Sequence, residues 1–353
     1  YNTSVNGNFR NKKINVFGNY SFYDGANPQN QDIYREQFGQ VFDQTGQQDN
    51  FWQSHNFKAG LDYFINPKHT IGILAHTNFG ESHFNNLSTT SISQAGSSSV
   101  DSLLVAESYN DFQRQNFNYN LNYMFQGDNS SLNADFDFGS FQTDGTSFQP
   151  NYYRNPTGEV TLQERIFRTT MPRDITIYTA KVDYETNFLQ GKLGLGAKAA
   201  LVRTDNTFDF YNVINGNTTL NAELSNQFEY TEQVNAAYAN FNRQFEKISL
   251  SLGLRMEQTN STGILNSLMP NSNNTVKRSY LNFFPSGGLT YTPNETHNWQ
   301  LNFSRRINRP SYQDLNPFEM KLDELTFEKG NPFLNPEYAT NVKLTHTFKY
   351  RFN

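Results

Sequence analysis

Six histidines, His55, His69, His76, His83, His297 and His346, are the side chains of this sequence best suited to bind a metal or carry a proton. Their spacing matches no metal motif, and with Cys absent there is no thiolate to complete one. His76 and His83 fall on or near one strand and read as isolated histidines rather than ligands. Asp135 and Asp137 would share one strand face about 7 Å apart. Such a pair could in principle serve general acid–base chemistry, but it reads as an ionised, solvated lumen wall. Gly194 and Gly196, in KLGLGAK, lack the helix that must follow a phosphate loop. They read instead as small residues that leave room for bulky neighbours or for an inserted body. No enzyme, cofactor or metal is expected.

One stretch does combine recognition chemistry. Between residues 148 and 173 the sequence runs QPNYYRNP and later ERIFRTTMPR, grouping Tyr152 and Tyr153 with Arg154, Arg165, Arg168 and Arg173. On an external loop, aromatic rings and guanidiniums could stack on a sugar or grip an anion. A solvated loop paired with lipopolysaccharide or with its own neighbours is the plainer alternative. These six residues are the candidate ligand-binding set.

What must position them is a run of strands. Residues 116–125 read NFNYNLNYMF, with Phe117, Tyr119, Leu121, Tyr123 and Phe125 on one face and Asn118, Asn120 and Asn122 on the other. Strict period-two alternation marks a strand whose faces meet different media. It recurs at Phe57, Ala59, Leu61, Tyr63 and Ile65, at Ile248, Leu250, Leu252, Leu254 and Met256, and along most of the chain; in residues 234–245 the face is ambiguous. Short polar turns (RNKK at 10–13, NPKH at 66–69, GDNS at 127–130, LQG at 189–191, FEK at 245–247, PNETHN at 293–298) alternate with long polar connections, among them 24–50, 81–110 and 142–173. Short turns at one end and long connections at the other are the asymmetry of an outer-membrane barrel.

Charge placement agrees. The apolar faces carry no Asp, Glu, Lys or Arg, with His346 as a lone titratable group, while Lys58, Asp62, Lys181, Asp183, Arg255 and Glu257 lie on the opposite faces. Lys or Arg at the bilayer midplane costs roughly 2–4 kcal/mol, which would enforce this segregation. The 353 residues are 36% hydrophobic, rich in Phe (32) and Tyr (20), and hold no apolar run long enough for a spanning helix. A net charge of −5 without basic blocks argues against nucleic acid as a partner. The expected fold is therefore all-β, a transmembrane antiparallel β-barrel with about 13 strands. Because such barrels close with even strand numbers, residues 1–353 are expected to be one incomplete barrel domain, part of a barrel of about 22 strands.

The C-terminal quarter supplies more specific words. Residues 304–318 read SRRINRPSYQDLNPF, and 327–337 read FEKGNPFLNPE, followed by a strand. The pair resembles the barrel region of TonB-dependent receptors, of the Bacteroidetes type, with Gly330, Asn331, Pro332, Leu334, Pro336 and Glu337 carrying the likeness. Residues 57–79 are similar to that family's early barrel, so the resemblance covers most of the chain. The motif residues read as structural: prolines that keep a connection out of the ladder, and Gly330 and Asn331 as tolerant of left-handed turns. The resemblance implies an outer-membrane importer of a scarce nutrient, closed by a plug and driven by the TonB complex through an N-terminal region not found in these residues. A siderophore, a glycan and a peptide all remain open as cargo. Outer-membrane lipid, the TonB complex and a surface lipoprotein are the expected partners. The rival is a non-importing barrel that serves as a structural or docking subunit of a surface or secretion complex. A passive porin is disfavoured.

Overall fold

Strand-forming alternation dominates the sequence, and the computed structural model describes almost nothing else. It covers residues 1–269, 274–316, 319–323, 326–331 and 333–349. β1 (Asn2–Arg10), β2 (Ile14–Gln37), β3 (Gln40–Asn66), β4 (His69–Gln94), β5 (Ser102–Gln126) and β6 (Ser130–Arg154) form an antiparallel meander. β7 (Thr161–Thr170) and β8 (Arg173–Phe188) both pair with β6 on one side and β9 (Gly191–Ile214) on the other. β10 (Asn217–Leu220) folds back on β9, and β11 (Asn226–Gln244), β12 (Ile248–Ser267), β13 (Asn274–Asn294) and β14 (His297–Asn308) continue the sheet. A one-turn helix α1 (Tyr312–Leu315) and a hairpin of β15 (Glu319–Asp323) and β16 (Thr326–Lys329) precede β17 (Glu337–Phe348), which pairs with β14. The main sheet holds 15 strands; leaving aside the outer extensions β7 and β10, 13 run through the apolar band.

All six short turns fall at one end of this sheet, where β1 meets β2, β3 meets β4, β5 meets β6, β8 meets β9, β11 meets β12 and β13 meets β14. At the other end the polar stretches 24–50, 81–110 and 142–173, expected as loops, are largely strand. β3 is 27 residues long. At about 3.3 Å per residue and a tilt of about 40°, it stands roughly 70 Å tall against an apolar band of about 25 Å. The ladder continues because these polar residues still pair in register, and because their inward positions pack. Ile92, Leu104 and Ala106 form a buried cluster with Phe42 and Tyr153 against it, and Phe167, Phe208 and Phe210 form another. Turns are correspondingly tight. Phe38–Gly39 (φ 52° and 76°) and Asn215–Gly216 (φ 50° and 78°) both have the two positive φ values of a type I′ hairpin.

The two sheet faces differ as the alternation requires. On the outer face Ile73 (54% exposed), Leu121 (49%) and Leu254 (51%) have no protein layer over them. Among the described residues every substantial contact between elements joins hydrogen-bonded neighbours, and no second sheet packs against this face. Aromatic belts border the band. Near the short turns His69 meets the Tyr123 hydroxyl at 2.7 Å, and His297 meets His346 at 2.9 Å, with Trp299 stacked on His346 at 3.9 Å. At the far border Tyr20 bonds His55 at 2.9 Å, and Phe79 meets Phe117 edge-on. Amphipathic rings of this kind mark membrane–water interfaces. No helix among the described residues is long and apolar enough to cross a membrane.

Candidate functional site

The inner face is a polar lattice tied across strands. Asn78 donates to Asn56 and Asn116 donates to Asn78; Asn122 donates to Asn120, and Asn120 to Asp137. Alternate asparagines thus satisfy one another along the inner face of the band. Lys181 pairs with Asp183 at 2.5 Å, and the Tyr238 hydroxyl donates to the same carboxylate at 2.6 Å. That reach depends on Gly196, where a Cβ would overlap the Tyr238 ring. Gly194 similarly makes room for Asn240. The ambiguous strand resolves as β11, with Tyr238 and Asn240 inward and Ala237, Ala239 and Phe241 outward, opposite Met256, Leu254 and Leu252.

Beyond β14 the chain turns inward as a strap. Arg309 donates to Glu257 at 2.6 Å and to Thr259 at 3.1 Å, while Arg255 holds the other carboxylate oxygen at 2.5 Å. Ser311 and Asp314 close a capping box on α1. Leu315, 7% exposed, then enters a pocket of Phe228, Tyr230 and Leu265 on the inner wall. Burial, and then the neighbouring Glu232 charge, push the Tyr230 phenol up, so it stays a donor to Glu232 at 2.9 Å.

The segment FEKGNPFLNPE clasps the segment SRRINRPSYQDLNPF. Gly330 lies against the carbonyl oxygens of Gln313, Asp314 and Asn316, with no space for a Cβ, and the Asn331 N–H donates to the Asp314 carbonyl at 2.6 Å. The sequence reading of left-handed geometry is corrected here: neither residue has positive φ. Gly330 permits close approach, and the Asn331 side chain accepts from the Phe333 N–H at 2.9 Å. Leu334 accepts a hydrogen bond from Arg278 through its carbonyl. Pro336 directly precedes β17, and Glu337 begins it opposite Asn308. Pro332 lies outside the described residues.

Between strap and wall is a cavity of about 400 Å³, lined among others by Phe112, Thr143, Arg173, Asn206, Asp314 and Glu328. A volume of this order suits a small polar molecule. The six candidate binding residues do not assemble there as a set. They stand on strands, not on a loop, and alternation divides them. Tyr153, Arg165 and Arg173 face inward; Tyr152, Arg154 and Arg168 face outward. Each outward guanidinium already lies over a ring of its own surface, Arg154 over Tyr152 at 5.9 Å and Arg168 over Phe148 at 5.6 Å. Arg165 lies over Tyr153 at 5.8 Å, and only Arg173 reaches the cavity, where it donates to Thr143 at 3.5 Å. His76 and His83 lie on opposite faces of β4, the latter bonded to Asp111 at 2.5 Å, so they cannot share a ligand.

The strap was missed in the sequence, although Ser311-x-x-Asp314 is a legible helix-start signal. Nothing local shows that Arg309 seeks Glu257, 52 residues earlier.

The model of the outer membrane protein beta-barrel family matches residues 123–353. Among solved structures, the siderophore receptor PiuA from Acinetobacter baumannii is similar with a TM-score of 0.54 at 10% identity, over 97% of this chain and 54% of that one. The likeness is one of fold, and this chain spans about half of that receptor's length. The outer membrane protease OmpT from Escherichia coli matches with a TM-score of 0.31 at 12% identity, over 79% of this chain and 96% of its own. At that level the match says nothing about activity. No curated protein sequence matches the chain.

Proposed function

Since this chain belongs to the outer membrane protein beta-barrel family, we propose that it is the wall of a TonB-dependent importer of the Bacteroidetes type. It resides in the bacterial cell outer membrane as a multi-pass β-barrel, with lipid against its outer face. The observation that carries the import reading is the inward strap, which with the inner wall encloses a polar cavity beyond the membrane band. Among the described residues β1 and β17 each pair on one side only, and each unpaired backbone group in lipid costs several kcal/mol. On this reading a plug fills the barrel, the TonB complex pulls on that plug, and the chain performs no catalysis.

The test is uptake of the nutrient on which the gene confers growth, with and without a functional TonB complex. Import by this route requires growth and uptake to stop when TonB is deleted; unchanged uptake rejects it. The rival reading, a docking subunit of a surface or secretion complex, is favoured by one feature. Phe38 stands 94% exposed at the tip of the long β2–β3 hairpin, where a partner could cover it. Loss of complex assembly in a Phe38→Asn variant with unchanged uptake would move the assignment to that reading.

A further inference from the structure

Charge is distributed unequally between the two faces of the extensions beyond the membrane band. Within the parts of β2 to β9 that extend beyond the band, every Asp and Glu faces outward, as at Asp24, Asp49, Glu81, Asp111, Asp144, Asp174, Asp205 and Asp209. The inward charges of these extensions are all arginines: Arg35, Arg114, Arg165 and Arg173. The net charge of −5 therefore hides an inner wall that is positive along the extensions of β2 to β9. A concave, low-dielectric wall of one sign concentrates solutes of the other.

Register brings two of these arginines together. Arg114 on β5 is directly opposite Thr143 on β6, Thr143 is opposite Arg173 on β8, and Arg173 is opposite Asn206 on β9. With strands about 4.8 Å apart, the two arginines flank the threonine at about 10 Å. Thr143, Arg173 and Asn206 line the cavity under the strap, with the rings of Phe112 and Phe208 beside them. Arg114 makes no ion pair among the described residues. The carboxylates in the cavity belong to the strap, Asp314 within its capping box and Glu328 on the side facing the wall strands.

We propose that this inner wall captures an anionic solute, a carboxylate- or phosphate-bearing molecule, held by the Arg114 and Arg173 guanidiniums across the Thr143 hydroxyl. The inference rests on the importer reading for its purpose, but its test does not need transport. Full-length protein in neutral detergent, free of anionic lipid, is titrated calorimetrically with citrate, inorganic phosphate and the neutral sugar maltotriose. Citrate or phosphate should bind and maltotriose should not, with affinity falling as salt rises from about 0.05 to 0.5 M. Arg114→Gln and Arg173→Gln should each weaken binding about fivefold to tenfold. Outward-facing Arg168→Gln should leave it unchanged, and Glu328→Gln should tighten it. The idea is overturned if neither anion binds, if maltotriose binds as well, or if Arg168→Gln weakens binding as much as Arg114→Gln. Anion binding that persists in a protein whose uptake ignores TonB would sink the importer reading alone.

Discussion

At the scale of single residues, glycine and arginine fix the inner wall. Gly196 has no Cβ because the Tyr238 ring occupies that space on its way to Asp183. Gly196→Ala should therefore destabilise the protein by about 1–3 kcal/mol, as overpacking does, whereas Gly7→Ala, with nothing within 4 Å, should change it little. Chemical denaturation of both variants in detergent checks the contrast. Arg309 is the strap's anchor, its guanidinium shared between Glu257 and Thr259. Removing it leaves Glu257 with Arg255 alone, so Arg309→Ala should loosen the strap by on the order of 2 kcal/mol. Hydrogen exchange of the Leu315, Asn316 and Asn331 amides, each bonded within the strap, should quicken while that of β12 stays slow. The glycines' small size was legible in KLGLGAK, but the ring that requires it was not, because Tyr238 is 42 positions away and meets Gly196 only through register.

At the scale of elements, the sequence shows most where the two faces meet different media. NFNYNLNYMF announces β5 because its apolar residues must all face one way. The outer half of the β2–β3 hairpin is silent, since Gln29, Asn30, Gln47 and Gln48 are polar on both faces and give no period. Hence stretches that read as loops are strands, and the candidate binding set, read as one loop, is divided by alternation. Leu121→Lys should cost roughly 2–4 kcal/mol in lipid, and Asn120→Lys, one position earlier and facing inward beside Asp137, should be tolerated. Reversible unfolding from liposomes distinguishes them. Phe38 holds φ at 52° where Asn is favoured, so Phe38→Asn should stabilise the hairpin tip by about 0.5–1 kcal/mol, seen as slower exchange of the Gln37 and Gln40 amides.

At the scale of the whole molecule, one sheet without a second layer has to find a partner for its outer face. The exposed Leu, Ile, Phe and Tyr side chains of that face, bounded by aromatic belts, have only hydrocarbon to meet. The same geometry sets polar side chains inward and turns the strap into the space they enclose. The most direct measurement is collision of nitroxide labels with oxygen and with a water-soluble nickel chelate, taken residue by residue along β12. The absence of Cys makes every single-cysteine variant a clean label site. With the protein in bilayers, labels at Leu250, Leu252 and Leu254 should collide with oxygen and be shielded from nickel, and labels at Ser251 and Gly253 should show the reverse. Nickel reaching both sets alike, or both being equally shielded, would contradict a wall that has lipid on one side and a polar interior on the other.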